Sequence, residues 1–272
     1  MVFGILMNKK TYFDLALKDI KGGYAQIQLA YVLGVGDIKQ RYTRSRVGQF
    51  WITLSMLIFI VTIGIVYSFL FHQSIKDFLP YVACNYVVWA WISATISDSA
   101  TTFLQAQNYI KQTAIPRSVF ALRVLVRNLI SFAHNLVIVP FVFLVTLRVP
   151  SWTTILALPG MVLIVVCGFF ACLSVGALCA RFRDLPLIIQ SLLQVMMFLT
   201  PVMWPVSSLG RQARVIVEYN PFAALMRLVS EPLLGTVPSL WEYGLSVLAT
   251  ATLMVCGFAF FARFRARIVY WL

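Results

Sequence analysis

Five runs of the chain contain no Asp, Glu, Lys or Arg: Trp51 to Phe71, Asn128 to Leu147, Trp152 to Ala180, Leu185 to Val206 and Tyr243 to Ala262. A sixth, Phe78 to Leu104, contains a single charged residue, Asp98. A helix rises about 1.5 Å per residue and the hydrocarbon layer of a bilayer is about 30 Å thick, so each run is long enough to cross it. With 61% hydrophobic and 11% charged residues, the chain is far too apolar for a soluble domain. The expectation is an all-α membrane protein of one domain, 1–272, with six transmembrane helices at 51–71, 78–104, 120–147, 152–180, 185–206 and 241–262. The third helix starts ahead of its uncharged run because Arg123 and Arg127 can snorkel from its first turns into headgroups.

The net charge of +13 does not indicate nucleic acid, because the basic residues sit in short clusters between apolar runs and not across a polar face. Six spans divide the 22 Lys and Arg into 17 on the side of the termini and 5 on the other. That bias places both termini in the cytoplasm. Arg41, Arg44 and Arg46, just before Trp51, then form an inner-leaflet anchor for the first span. Upstream, Tyr24, Ile27, Tyr31, Val35, Ile38 and Tyr42 recur at spacings of three and four, which predicts an interfacial amphipathic helix over 24–42, with Gly34 and Gly36 as points of interruption. The opening MVFGILM has its lysines, Lys9 and Lys10, after the apolar run, so it does not read as a cleavable signal.

Between the fifth and sixth predicted spans, 207–239 holds Arg211, Arg214, Glu218, Arg227 and Glu231 around a helix-like piece, Phe222 to Ser230. Asn220 followed by Pro221 is a helix start, since proline's fixed φ suits the first turn and its missing N–H is not needed there. Short re-entrant helices in the outer leaflet, acting as a gate, are the expected structure. Asn220, Pro221, Phe222, Leu225 and Val229 are its candidate residues.

The chain has no Gly-Lys dipeptide and so no phosphate-cradling loop of the G-x-x-x-x-G-K type. ATP hydrolysis is expected on a separate chain, and no cofactor or metal on this one. The five cysteines fall in predicted spans without a C-x-x-C pair, and His72 and His134 have no acidic partner at metal spacing. One polar constellation stands out at membrane depth. Trp91, Thr95, Asp98, Thr102 and Gln105 recur at steps of four and three, making one stripe, with Trp89 nearby and Gln190, Gln194 and Met197 as a weaker stripe on the fifth span. An ionisable group at that depth faces a water-filled path or the bundle interior. The stripe is the candidate substrate channel; the plainer alternative is interhelical glue. A membrane-embedded glycosyltransferase would need paired acids, and Asp98 has no obvious partner.

Three stretches together resemble the membrane subunit of type-2 ABC exporters of cell-surface polysaccharides, the O-antigen and lipopolysaccharide permease family (Wzm-like). RYTRSRVGQFW resembles that family's basic entry to the first span, KQTAIPRS its cytoplasmic loop, and YNPFAALMRLVSEPLLG its outer segment. The order is kept over nearly the whole chain, although Thr113 to Ile115 lacks the bulkier aromatic that often precedes the proline. The resemblance implies a homodimer in the bacterial inner membrane, driven by two ABC subunits that bind ATP and Mg. It implies export of a polyprenyl-diphosphate-linked polysaccharide, with Lys111, Gln112, Pro116 and Arg117 coupling to the ATPase. Permeases for teichoic acid, capsular polysaccharide or drugs are the alternatives within the superfamily.

Overall fold

A computed structural model describes residues 9–42, 48, 50–208 and 210–272. The described residues form helices and turns, in the order α1 (Lys9–Ala25), α2 (Ile27–Tyr42), α3 (Phe50–Leu70), α4 (Ile75–Thr101), α5 (Gln107–Gln112), α6 (Ser118–Leu136), α7 (Ile138–Thr146), α8 (Ala157–Arg181), α9 (Leu185–Leu199), α10 (Arg211–Glu218), α11 (Pro221–Leu233), α12 (Leu240–Phe264) and α13 (Ile268–Trp271).

Among the described residues, five helical segments are long and apolar enough to cross a membrane: α3, α4, α6 with α7, α8 with the short turn before it, and α12 with its C-terminal extension. The expected fifth span, 185–206, is shorter than its apolar run. It is helical for 15 residues, Leu185–Leu199, about 22 Å at 1.5 Å per residue. The cause is Pro201, which pushes the preceding residue out of the helical region: Thr200 is extended, at φ −102° and ψ 137°. The six-span expectation is thus reduced to five full-length candidates and one shorter apolar helix. A second proline acts inside the third span, where Pro140 cannot donate to Leu136 and the helix breaks at Val137 into α6 and α7.

The N-terminal region also differs from expectation. The helix predicted over 24–42 is α2, Ile27–Tyr42, and an unpredicted helix, α1, precedes it, the two meeting at Gln26. α2 runs through Gly34 and Gly36 without interruption. It packs on α6 through Ala30, Gly34 and Asp37, while Tyr24, Ile27 and Tyr31 of the predicted stripe stay exposed. Small residues form the packing face and the apolar stripe is left for other surroundings.

α8 lies at the centre, against α4, α11 and α12. At Gly168 a Cβ would stand 2.6 Å from Thr95 Cγ2, so only glycine allows this approach of α8 to α4, the small-residue packing typical of helices in lipid. Two buried clusters follow. One joins Phe78, Trp89, Trp91, Met226 and Val229. The other, at the end carrying α1, joins Ala16, Phe103, Phe120, Phe261 and Ile268.

Candidate functional site

Arg123 and Arg127 are four residues apart on α6 and so share a face. Across it lies Asp37 of α2, which accepts from Arg123 Nε at 2.8 Å and from Arg127 Nη1 at 3.1 Å. Arg127 then turns its Nη2 to Asp98 Oδ2 of α4, at 2.8 Å. That contact is ionic and lacks the alignment of a hydrogen bond. Asn128 Nδ2 donates to the same Asp98 oxygen at 2.9 Å, and Gln105 Oε1 accepts from Arg127 Nη1 at 3.2 Å. Three helices are therefore joined by a chain of alternating charge, Arg123, Asp37, Arg127, Asp98. Two expectations are corrected here. Arg127 does not snorkel, being 5% exposed, and Asp98 does not stand alone. The pairing is forced by desolvation: an unpaired charge at this depth costs several kcal/mol.

Most of the predicted channel stripe does not face open space in this conformation, although Asp98 is half-buried and Gln105, past the end of α4, is exposed. Trp91 is 5% exposed and stacks on Phe132 with centroids 4.2 Å apart. Thr95 and Thr102 are buried and donate to the carbonyls of Trp91 and Asp98, and Trp89 is buried with its ring edge against Phe222. The burial follows from close packing against α6, α8 and α11. The adjacent row of α4, Ala90, Ser93, Ser97 and Thr101, is half-buried. On α9, which also packs on α4, Gln190 and Gln194 are exposed and Met197 half-buried.

Lys111 and Gln112, at the end of α5, are exposed, whereas Pro116 and Arg117 are half-buried against α1. Ser118 N and Oγ donate to Asp19 Oδ1 at 3.0 and 2.9 Å, so the carboxylate of α1 caps the start of α6. Arg265, just past α12, donates to the other Asp19 oxygen at 2.7 Å. A Cβ on Gly23 would sit 2.2 Å from Ser118 Oγ, so the chain needs glycine to dock α1 on this link. Burial lowers the Arg117 pKa; Asp19 opposes the shift and Arg265 adds to it. In the predicted anchor, Arg41 and Trp51 are exposed, while Arg44 and Arg46 lie outside the described residues.

At the opposite end, Asn220 Oδ1 accepts from Phe222 N at 2.9 Å and Pro221 fills the first turn of α11, as the sequence predicts. α11 is not a free flap. Leu225 and Val229 are buried, and Pro221 and Phe222 half-buried, against α4, α8 and α12. Asn220 Nδ2 also donates to Thr200 Oγ1 at 3.1 Å, tying α11 to the end of α9. Arg227 pairs with Glu231 one turn on, and its Nη1 reaches Glu242 Oε1 at 2.6 Å. Burial raises the Glu231 pKa, with Arg227 opposing and Glu242 adding to the shift.

Sequence reasoning missed Asp19, Asp37 and Glu242 as structural carboxylates. For Asp37 the available signal was the pair Arg123 and Arg127, two bases on one face in an otherwise apolar helix, which demand counter-ions.

The model of the ABC-2 type transporter family matches residues 29–234, most of the chain. The chain belongs to the ABC-2 type transporter family. An ABC ATPase partner is what membership of that family implies. Relatives include the "O-antigen export system permease protein RfbA" of Myxococcus xanthus, 25% identical over 193 residues, 70% of this chain and 74% of the relative. Two from Klebsiella pneumoniae carry the same name, one 23% identical over 241 residues (88% and 93% of the two chains) and one 24% identical over 200 residues (73% and 77%). In this ABC-2 permease the charge chain lies within the matched region, from α2 to α6.

Proposed function

We propose that the chain is the channel-forming subunit of an ATP-driven exporter that moves a lipid-linked O-antigen-type polysaccharide from cytoplasm to periplasm across the inner membrane. Two copies pair, both termini are cytoplasmic, and two ABC subunits supply ATP hydrolysis. The observation that carries this reading is the half-buried row of α4, Ser93, Ser97 and Thr101, a polar face without charge, with Asp98 beside it paired to Arg127. Such a wall, with Gln190 and Gln194 of α9 near it, hydrogen-bonds sugar hydroxyls weakly and lets them go, as a conduit must. Kinship with O-antigen export permeases supports the substrate class. Lys111, Gln112, Pro116 and Arg117 transmit the ATPase stroke, and the capped start of α6 makes that link rigid enough to pass it on. The segment from Asn220 to Val229 supports the outer mouth as a fixed wall.

Deleting the chain from its source cells tests this. The expected result is loss of surface polysaccharide with lipid-linked polymer retained inside, restored by the intact chain. Unchanged surface polysaccharide, with loss of teichoic acid, capsule or drug resistance instead, refutes the substrate assignment. A periplasm-dependent reporter fused after Gln73 is active and one fused after Gln112 silent; the reverse refutes the direction.

A further inference from the structure

A cleft of about 440 Å³ opens where α10, α11 and the start of α12 meet, at the end of the molecule opposite α1. Its size falls within the roughly 300–1,000 Å³ of small-ligand sites. Its wall includes two exposed rings, Tyr219 and Trp241, with centroids 5.4 Å apart and planes at 78°. Trp241 Nε1 donates to the carbonyl of Glu218 at 2.9 Å, which fixes the indole and spends its donor, leaving the ring to act through its apolar surface. Around the rings stand polar groups of both kinds. Arg227 is held by Glu231 and Glu242, and Glu242 is 6% exposed, with its second oxygen accepting from Ser239 N at 2.7 Å. The Glu218 carboxylate forms no ion pair among the described residues and is exposed.

We propose that this cleft is a carbohydrate-binding subsite, resting on the reading of the chain as a polysaccharide permease. A sugar ring has an apolar patch of axial C–H bonds and a rim of hydroxyls. The patch lies on an aromatic face, and the hydroxyls donate to carboxylates and accept from a guanidinium or serine. Arg227 is already balanced by two carboxylates and Glu218 adds a third, so the cleft suits a neutral polyol and repels a phosphate or an acidic headgroup. The rings are pre-set and the charged groups pre-paired, so a sugar meets little ordering cost on entry. Placed at the mouth of the path, the cleft holds the emerging chain briefly after each stroke and opposes its return.

Fluorine NMR on the intact exporter labelled with fluorotryptophan tests the site. Among the seven tryptophans, the resonance lost in Trp241→Phe is that of Trp241. It is expected to move on titration with polysaccharide released by mild acid from the source cells, while that of the exposed Trp152 stays put. Tyr219→Ala is expected to weaken the titration about tenfold, the scale of one lost aromatic contact. A Trp241 resonance that does not move, or Tyr219→Ala that titrates like the parent, overturns the assignment and makes the rings an interfacial belt. If the titrations fail while deletion of the chain still abolishes export, the cleft alone falls; if export does not depend on the chain, the broader reading falls with it.

Discussion

Arg127→Met removes the centre of the charge chain while keeping most of the side-chain volume. Asp37 retains Arg123 at 2.8 Å, so its charge stays compensated. Asp98 loses its ion partner and keeps only Asn128 at 2.9 Å. Truncating one member of a buried pair costs about 3–5 kcal/mol. The Asp98 side chain is 25% exposed, so water reaches it and the expected loss lies at the lower end, about 3 kcal/mol. In a domain of this size that corresponds to a fall in Tm of about 6–12 °C. Thermal denaturation of the purified protein in nanodiscs measures it. Arg127→Met with Asp98→Asn removes both charges at once, leaves the amide of Asn128 a partner, and recovers most of the loss. Equal Tm values for the single and double variants refute the ion-pair argument, as does a single variant as stable as the parent.

In a cysteine-free background, Ser97→Cys is expected to react with a water-soluble thiol reagent and Thr95→Cys to stay protected, because Ser97 is only half-buried whereas Thr95 is buried; mass spectrometry of the labelled chain checks this. Trp91→Ala leaves a cavity against Phe132 and costs about 3–5 kcal/mol, so it lowers folded protein in the membrane as read by immunoblot and Tm, and any fall in export tracks that loss. The raised pKa of Glu231 means that the folded protein holds this proton more tightly than the unfolded chain. Stability therefore falls as pH rises from the ordinary glutamate range through the raised value, and Glu231→Gln flattens that part of a Tm-versus-pH curve.

The helical architecture was legible because lipid reduces the problem to run length and charge. The start of α11 was legible because Asn220 and Pro221 act through neighbours two residues away. The charge chain was not, since Asp37 and Arg127 are 90 residues apart and the spacing of Trp91, Thr95 and Thr102 says that they share a face without saying what packs on it. α1 escaped notice for a different reason. Its buried face is Ala16, Asp19 and Gly23, two small residues and an acid, so the hydrophobic pattern carries no trace of the contact. α9 was overextended because an apolar run was allowed to outvote Pro201.

The ion pair of Asp19 with Arg265 spans 246 residues, nearly the distance from the first helix to the last. At about 5–20 residues per second the ribosome needs roughly 12–50 s between the two. Throughout that interval Asp19 can hold Ser118 and face Arg117, while its bond to Arg265 waits for the end of α12. The contact between the first helix and the end of α12 therefore closes only after the last span has been made. A chain that stops short keeps the Asp19–Ser118 contact and lacks only the Arg265 bond, so the tie between the two ends of the chain is the last part of the fold to form.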